Sequence, residues 1–157
     1  QNKKIKSELK VSLDQKEKLK SGQKLPELIV VDSHGNKVKV NQVTQDNNTV
    51  IYFWPNDLMQ IEIVNEKLDK LQKEYPDVKF IGIERTKEHA EWTAFLETKK
   101  LSADNQFKIP KDSECYSWFE GDMARSIIVN KDGNVLNSYL FFTDKYFDMH
   151  LADLKKR

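Results

Sequence analysis

Residues 50–54 read VIYFW without a charge, and beyond them Leu58, Ile61, Val64, Leu68, Leu71 and Tyr75 recur at steps of three and four. A short run of β-branched and aromatic residues bounded by polar chain fits a strand covered on both faces. The stripe that follows fits a helix with one apolar face, with Glu62, Glu66, Lys67, Lys70 and Lys73 largely outside it. Pro76 closes that helix, because proline biases its predecessor away from the helical region. A doubly covered strand feeding an amphipathic helix requires layers of helix over sheet.

The rest of the chain continues this alternation. Residues 28–31 and 37–40 are two β-rich runs joined by Ser33-His34-Gly35-Asn36, which predicts a hairpin. Residues 78–83 predict a second buried strand, and residues 88–100 a second helix with Trp92, Phe95 and Leu96 inward. Residues 101–122 are less regular. Residues 126–129 and 135–142 predict two strands around the turn Asn130-Lys131-Asp132-Gly133-Asn134, and a final short helix carries Phe147, Leu151 and Leu154 on one face. This order predicts a mixed sheet with parallel strands joined by helical crossovers and finished by an antiparallel pair.

Length and charge narrow the function. The 157 residues suit one domain with a sizeable core, divided here into a lysine-rich, partly helical linker at 1–24 and a folded domain at 25–157. Ile5, Leu9 and Leu13 give the linker sparse apolar positions, and Ser12 to Gln15 fits a capping box. A net charge of +1 gives no sustained field for nucleic acid, and no stretch has the apolar length of a membrane span. A single cysteine, Cys115, excludes an internal disulfide, so cysteine usage does not report the compartment.

Four stretches carry a family resemblance. "LKSGQKLPELIVVDSHGNKVKVNQV" resembles the opening of redoxin and TlpA-like (AhpC/TSA-related) domains of the thioredoxin superfamily, and "NTVIYFW" resembles their central strand. "WTAFLETKKL" is similar to a helix that begins with tryptophan, and "SIIVNKDGNVLNSYLF" to the terminal hairpin. The resemblance spans roughly residues 20–155. It implies a thioredoxin-like α/β fold, three-layer α/β/α with a mixed central sheet and an N-terminal β-hairpin. It also implies a bacterial cell-envelope or periplasmic setting and thiol-disulfide oxidoreductase relatives.

The departures from that family bear on function. Active relatives place a CxxC pair just after the Phe-Trp of the central strand, where a helix N-terminus stabilises the first thiolate. Aligned without gaps, those two positions fall at Leu58 and Ile61, which carry no thiol. The family's cis-proline before the terminal hairpin falls at Ala124, where a cis bond would cost about 2.5 to 4 kcal/mol, so a trans peptide is expected. Cys115 sits among Asp112, Glu114 and Glu120, whose charges disfavour a thiolate, and reads as a packed cysteine.

Other constellations point to no further chemistry. His34, His89 and His150 lie far apart and read as solvated, so no metal site is expected, and the scattered glycines form no phosphate loop. Glu84-Arg85 and Glu88-His89, at the end of a central strand, read as helix-start capping, and Asp144 and Asp148 near the last helix as capping and solvation. The expectation is a non-catalytic binding or scaffolding module, a pseudoenzyme without cofactor or metal, whose partner is another protein or peptide. Its docking groove would be formed by Trp54, Asn56 and Asp57 against Ala124 and Arg125, with Asp57 capping the helix and Arg125 approaching it. The competing expectation is a thiol-disulfide oxidoreductase or thiol-linked redox protein acting through Cys115.

Overall fold

A computed structural model of the chain describes residues 19–113, 116, 125–138 and 140–155. Its centre is a seven-stranded sheet in the order β2-β1-β5-β4-β3-β6-β7. The strands are β1 (Ile29–Val31), β2 (Lys37–Lys39), β3 (Thr49–Phe53), β4 (Lys79–Glu84), β5 (Gln106–Lys108), β6 (Ser126–Val129) and β7 (Val135–Asn137). The helices are α1 (Val40–Val43), α2 (Leu58–Glu74), α3 (His89–Thr98) and α4 (Phe147–Lys155). Strands β3, β4 and β5 run parallel, while β6 and β1 flank them antiparallel.

Alternation along β3 divides the core. Val50, Tyr52 and Trp54 point to one face and Ile51 and Phe53 to the other, the period of two that a strand imposes. The steps β3 to β4 and β4 to β5 run the same way across the sheet, so right-handed crossovers place α2 and α3 on the same face. The packing agrees: Ile61, Val64, Leu68 and Leu71 of α2, Phe95 of α3 and Phe147, Leu151 and Leu154 of α4 all meet the Tyr52 side. On the opposite face Leu19, Leu25, Leu28 and Val40 cover Ile51, Phe53, Ile81, Ile83 and Ile127.

Both predicted hairpins form, and local side chains explain their turns. The Asp32 carboxylate accepts from the backbone N–H groups of His34 and Asn36, each at 2.9 Å, which closes the β1–β2 turn. Asn130 does the same for Asp132 and Asn134, each at 3.0 Å, and Gly133 takes a φ of 85° that other residues rarely adopt.

Several expectations are corrected. The stretch 101–122 contains a strand, β5, inserted between β1 and β4. It was illegible because it has three residues, one of them a buried glutamine. Residues 40–43 form a helical turn instead of extending β2, and Val40 caps the core there at 0% exposure. β7 stops at Asn137, whose Oδ1 accepts from Leu140 N–H at 3.2 Å and turns the chain.

The folded unit also begins earlier than residue 25. Leu19 is 1% exposed, and Ser138 Oγ donates to its carbonyl at 2.8 Å. Gly22 N–H donates to Val135 O at 2.7 Å and Val135 N–H donates to Gln23 O at 2.8 Å. These bonds cover the outer edge of β7, which would otherwise offer unpaired backbone groups. Leu19→Ala is therefore expected to cost about 2 to 5 kcal/mol, read as a shifted urea midpoint. The capping box at 12–15 lies outside the described residues.

Candidate functional site

The strand-to-helix junction is rigid on its inner side. Trp54 is buried, its N–H donates to Ile83 O at 3.0 Å, and its ring meets Tyr52 and Phe95 edge-on. Trp54 Nε1 donates to Gln106 Oε1 at 2.9 Å, and Gln106 Nε2 donates to the Tyr52 hydroxyl at 2.8 Å. Burial pushes ionisation of the Tyr52 hydroxyl far above the usual tyrosine range, opposed by the bond from Gln106, so the hydroxyl remains protonated. Three polar side chains from β3, the junction and β5 thus satisfy one another beneath the site.

On the outer side the chain turns into α2. Thr86 Oγ1 donates to Asn56 Oδ1 at 2.5 Å, which ties the junction to the end of β4. Asp57 is the N-cap, its carboxylate accepting from Gln60 N–H at 3.1 Å. Asp57→Ala is expected to lose about 1 kcal/mol and Asp57→Asn only a small part of that, measured by denaturant unfolding. The carboxylate is used by the helix. Of the two positions aligned with thiols, Leu58 is 78% exposed and Ile61 is 2% exposed.

Arg125 lies beside this junction through its backbone. Its carbonyl accepts from Phe53 N–H at 3.3 Å, and it bridges antiparallel to Phe141. Ala124, with its expected trans peptide, and Cys115 lie outside the described residues. The three histidines are dispersed, at the β1–β2 turn, the start of α3 and within α4. Among the described residues no three His, Cys, Asp or Glu side chains converge on a metal-sized site.

A cleft of about 590 Å³ opens between the start of α2 and α3. Leu58, Ile61 and Phe95 supply its apolar wall, and Asn56, Thr86 and Lys87 its polar rim. Behind the rim, Glu84 is enclosed in the interior instead of capping a helix start. Glu84 is fully buried at the end of β4, and Lys87 Nζ stands 2.8 Å from its Oε1. That contact has ion-pair distance without hydrogen-bond geometry, so charge rather than a directed bond neutralises the oxygen. Glu84 Oε2 accepts from Arg85 N–H at 3.0 Å, and Lys87 lies over the Phe95 ring. Glu88 is the N-cap residue of α3 and makes no side-chain capping bond. A larger cavity, about 720 Å³, sits by Asn48, Tyr75, Pro76 and Leu154, at the opposite, N-terminal ends of β3 and β4. Open α/β sheets bind ligands at the carboxyl ends of strands, which favours the smaller cleft.

No protein-family model matches the chain, and no curated protein matches it in sequence. Solved structures do match. The chain is similar to the thioredoxin domain of a thiol-disulfide oxidoreductase from Bacteroides vulgatus, at 19% identity over 85% of this chain and 98% of that one, with a TM-score of 0.66. A thiol:disulfide interchange protein from a Bacteroides species matches at 20% identity over 85% and 90%, again with a TM-score of 0.66. A candidate thiol-disulfide oxidoreductase from Bacteroides vulgatus reaches a TM-score of 0.70 at 19% identity, over 87% and 98%. The domain has the thioredoxin fold.

Proposed function

We propose that this thioredoxin-fold domain is a docking module without thiol chemistry of its own, which receives an extended segment of another protein at the start of α2. One observation carries the reading. Immediately after the Asp57 cap, where related folds would present a nucleophile, the chain presents Leu58 at 78% exposure. An exposed leucine on a rigid junction offers an apolar anchor for a partner and no group able to attack a disulfide. The Tyr52–Gln106–Trp54 bonds hold the junction from below, and Asn56–Thr86 holds it from the side, so little ordering entropy is lost when a partner docks. Arg125, beside Phe53, forms the neighbouring edge of the surface.

Selection of a displayed random-peptide library on the purified domain tests this. Enriched peptides are expected to lose about tenfold or more in affinity against Leu58→Asp, roughly 1.4 kcal/mol, and to weaken against Arg125→Glu. The same peptides should bind Asp132→Asn, in the β6–β7 turn beside Asn48 at the opposite end of β3, as they bind the parent. Binding that ignores Leu58→Asp in a folded variant would place the docking surface elsewhere.

A further inference from the structure

One edge of the sheet is open. β2 is its terminal strand, and among the described residues only β1 pairs with it. At the two ends of this hairpin Asp32 N–H donates to Asn36 O at 2.9 Å and Val40 N–H donates to Leu28 O at 2.8 Å. Val38, midway between Asn36 and Val40, therefore turns its backbone groups toward Val30 of β1, and Lys37 and Lys39 turn theirs outward. Lys39 is the N-cap of α1 and gives its carbonyl to that helix. The Lys37 N–H and C=O and the Lys39 N–H are left along the edge, without a partner among the described residues.

The side chains define what a strand added there must carry. Lys37 and Lys39 project to one face and are exposed, while Val38 projects to the other and packs against the core. Among the described residues Lys37 makes no ion pair, and Lys39 reaches only Glu27, at 3.8 Å with both side chains more than half exposed. Glu27 and Asp32 flank β1, one strand further in, and the Asp32 carboxylate is held by the turn N–H groups. The charges nearest to an added strand are thus the two lysines. A second copy does not fit, because two-fold pairing along this edge that keeps Val38 on the apolar face always sets lysine against lysine. We infer that the edge of β2 receives, as an eighth strand of the sheet, an extended segment of another protein in which acidic residues alternate with apolar ones. Its carboxylates stand opposite Lys37 and Lys39, its apolar residue extends the core beside Val38, and its backbone pairs with the open N–H and C=O groups.

Titration of the full chain with a blocked Val-Glu-Val-Glu-Val peptide, followed by amide NMR, tests the pairing. The expected result is saturable binding that slows hydrogen exchange at the Lys37 and Lys39 amides. A Val-Lys-Val-Lys-Val peptide should bind about tenfold or more weakly, and Lys37→Glu combined with Lys39→Glu should reverse that preference. Methylating the peptide amides that face β2 should abolish binding although the carboxylates are unchanged. Leu58→Asp should leave binding as it is, which separates this edge from the proposed docking site at α2. The two control peptides use the parent chain, so they decide the matter whatever the stability of the variants. Absence of saturable binding up to about 1 mM overturns the inference. So does binding that survives amide methylation, that does not distinguish the acidic from the lysine peptide, or that leaves the Lys37 and Lys39 amides unprotected.

Discussion

Gly82→Ala is expected to lower the stability of the domain by about 2 to 5 kcal/mol, a large share of the roughly 5 to 15 kcal/mol that holds an ordinary domain together. A Cβ at position 82 would meet Gln106 Oε1 at 2.4 Å and the Tyr52 hydroxyl at 2.7 Å. A flexible glutamine on a surface would swing aside. Gln106 is 3% exposed and bonded at both ends of its amide, to Trp54 and to Tyr52, so moving it strands buried polar groups. The denaturant midpoint should fall with little change in slope. A loss under about 0.5 kcal/mol would mean that the network beneath the junction yields easily.

Lys87→Ala is the second substitution with a large expected effect. Glu84 is fully buried and Lys87 is its cationic partner, so truncating the lysine leaves an uncompensated carboxylate in the interior. Breaking such a pair costs about 3 to 5 kcal/mol, whereas replacing both members by neutral residues of similar volume is often close to neutral. Glu84→Gln combined with Lys87→Met should therefore recover most of what Lys87→Ala loses, measured by urea unfolding. If the single substitution were as mild as the double, the pair would contribute little to holding the end of β4.

The sequence made some of this visible and hid the rest for physical reasons. β3 and α2 were legible because a charge-free run and a stripe at helical spacing each leave one conformation that buries them, and Thr49–Phe53 is buried at every position. The two turns were legible because Asp32, Asn130 and Gly133 act locally, within four residues. β5 was not, since its place in the sheet depends on β1 and β4, far away in sequence, and its buried Gln106 reads as polar until Trp54 and Tyr52 are seen to satisfy it. Glu84 failed in the same way. A carboxylate at a strand end just ahead of a helix reads as a helix-start cap, and only the fold shows it enclosed beside Lys87. At the junction, the Asp57 cap was legible from its place immediately before the helix, while the exposure of Leu58 became visible only once the stripe of α2 had been oriented against the sheet.

The central claim is that this thioredoxin-fold domain docks and does not exchange disulfides. The most direct measurement is the rate at which dithiothreitol reduces a protein disulfide in the presence of the purified full chain, compared with its Cys115→Ser variant. The only thiol in the sequence is Cys115, so the account predicts equal rates for both proteins, neither above dithiothreitol alone. Clear acceleration by the parent chain, abolished in Cys115→Ser, would contradict it and place catalysis on that thiol.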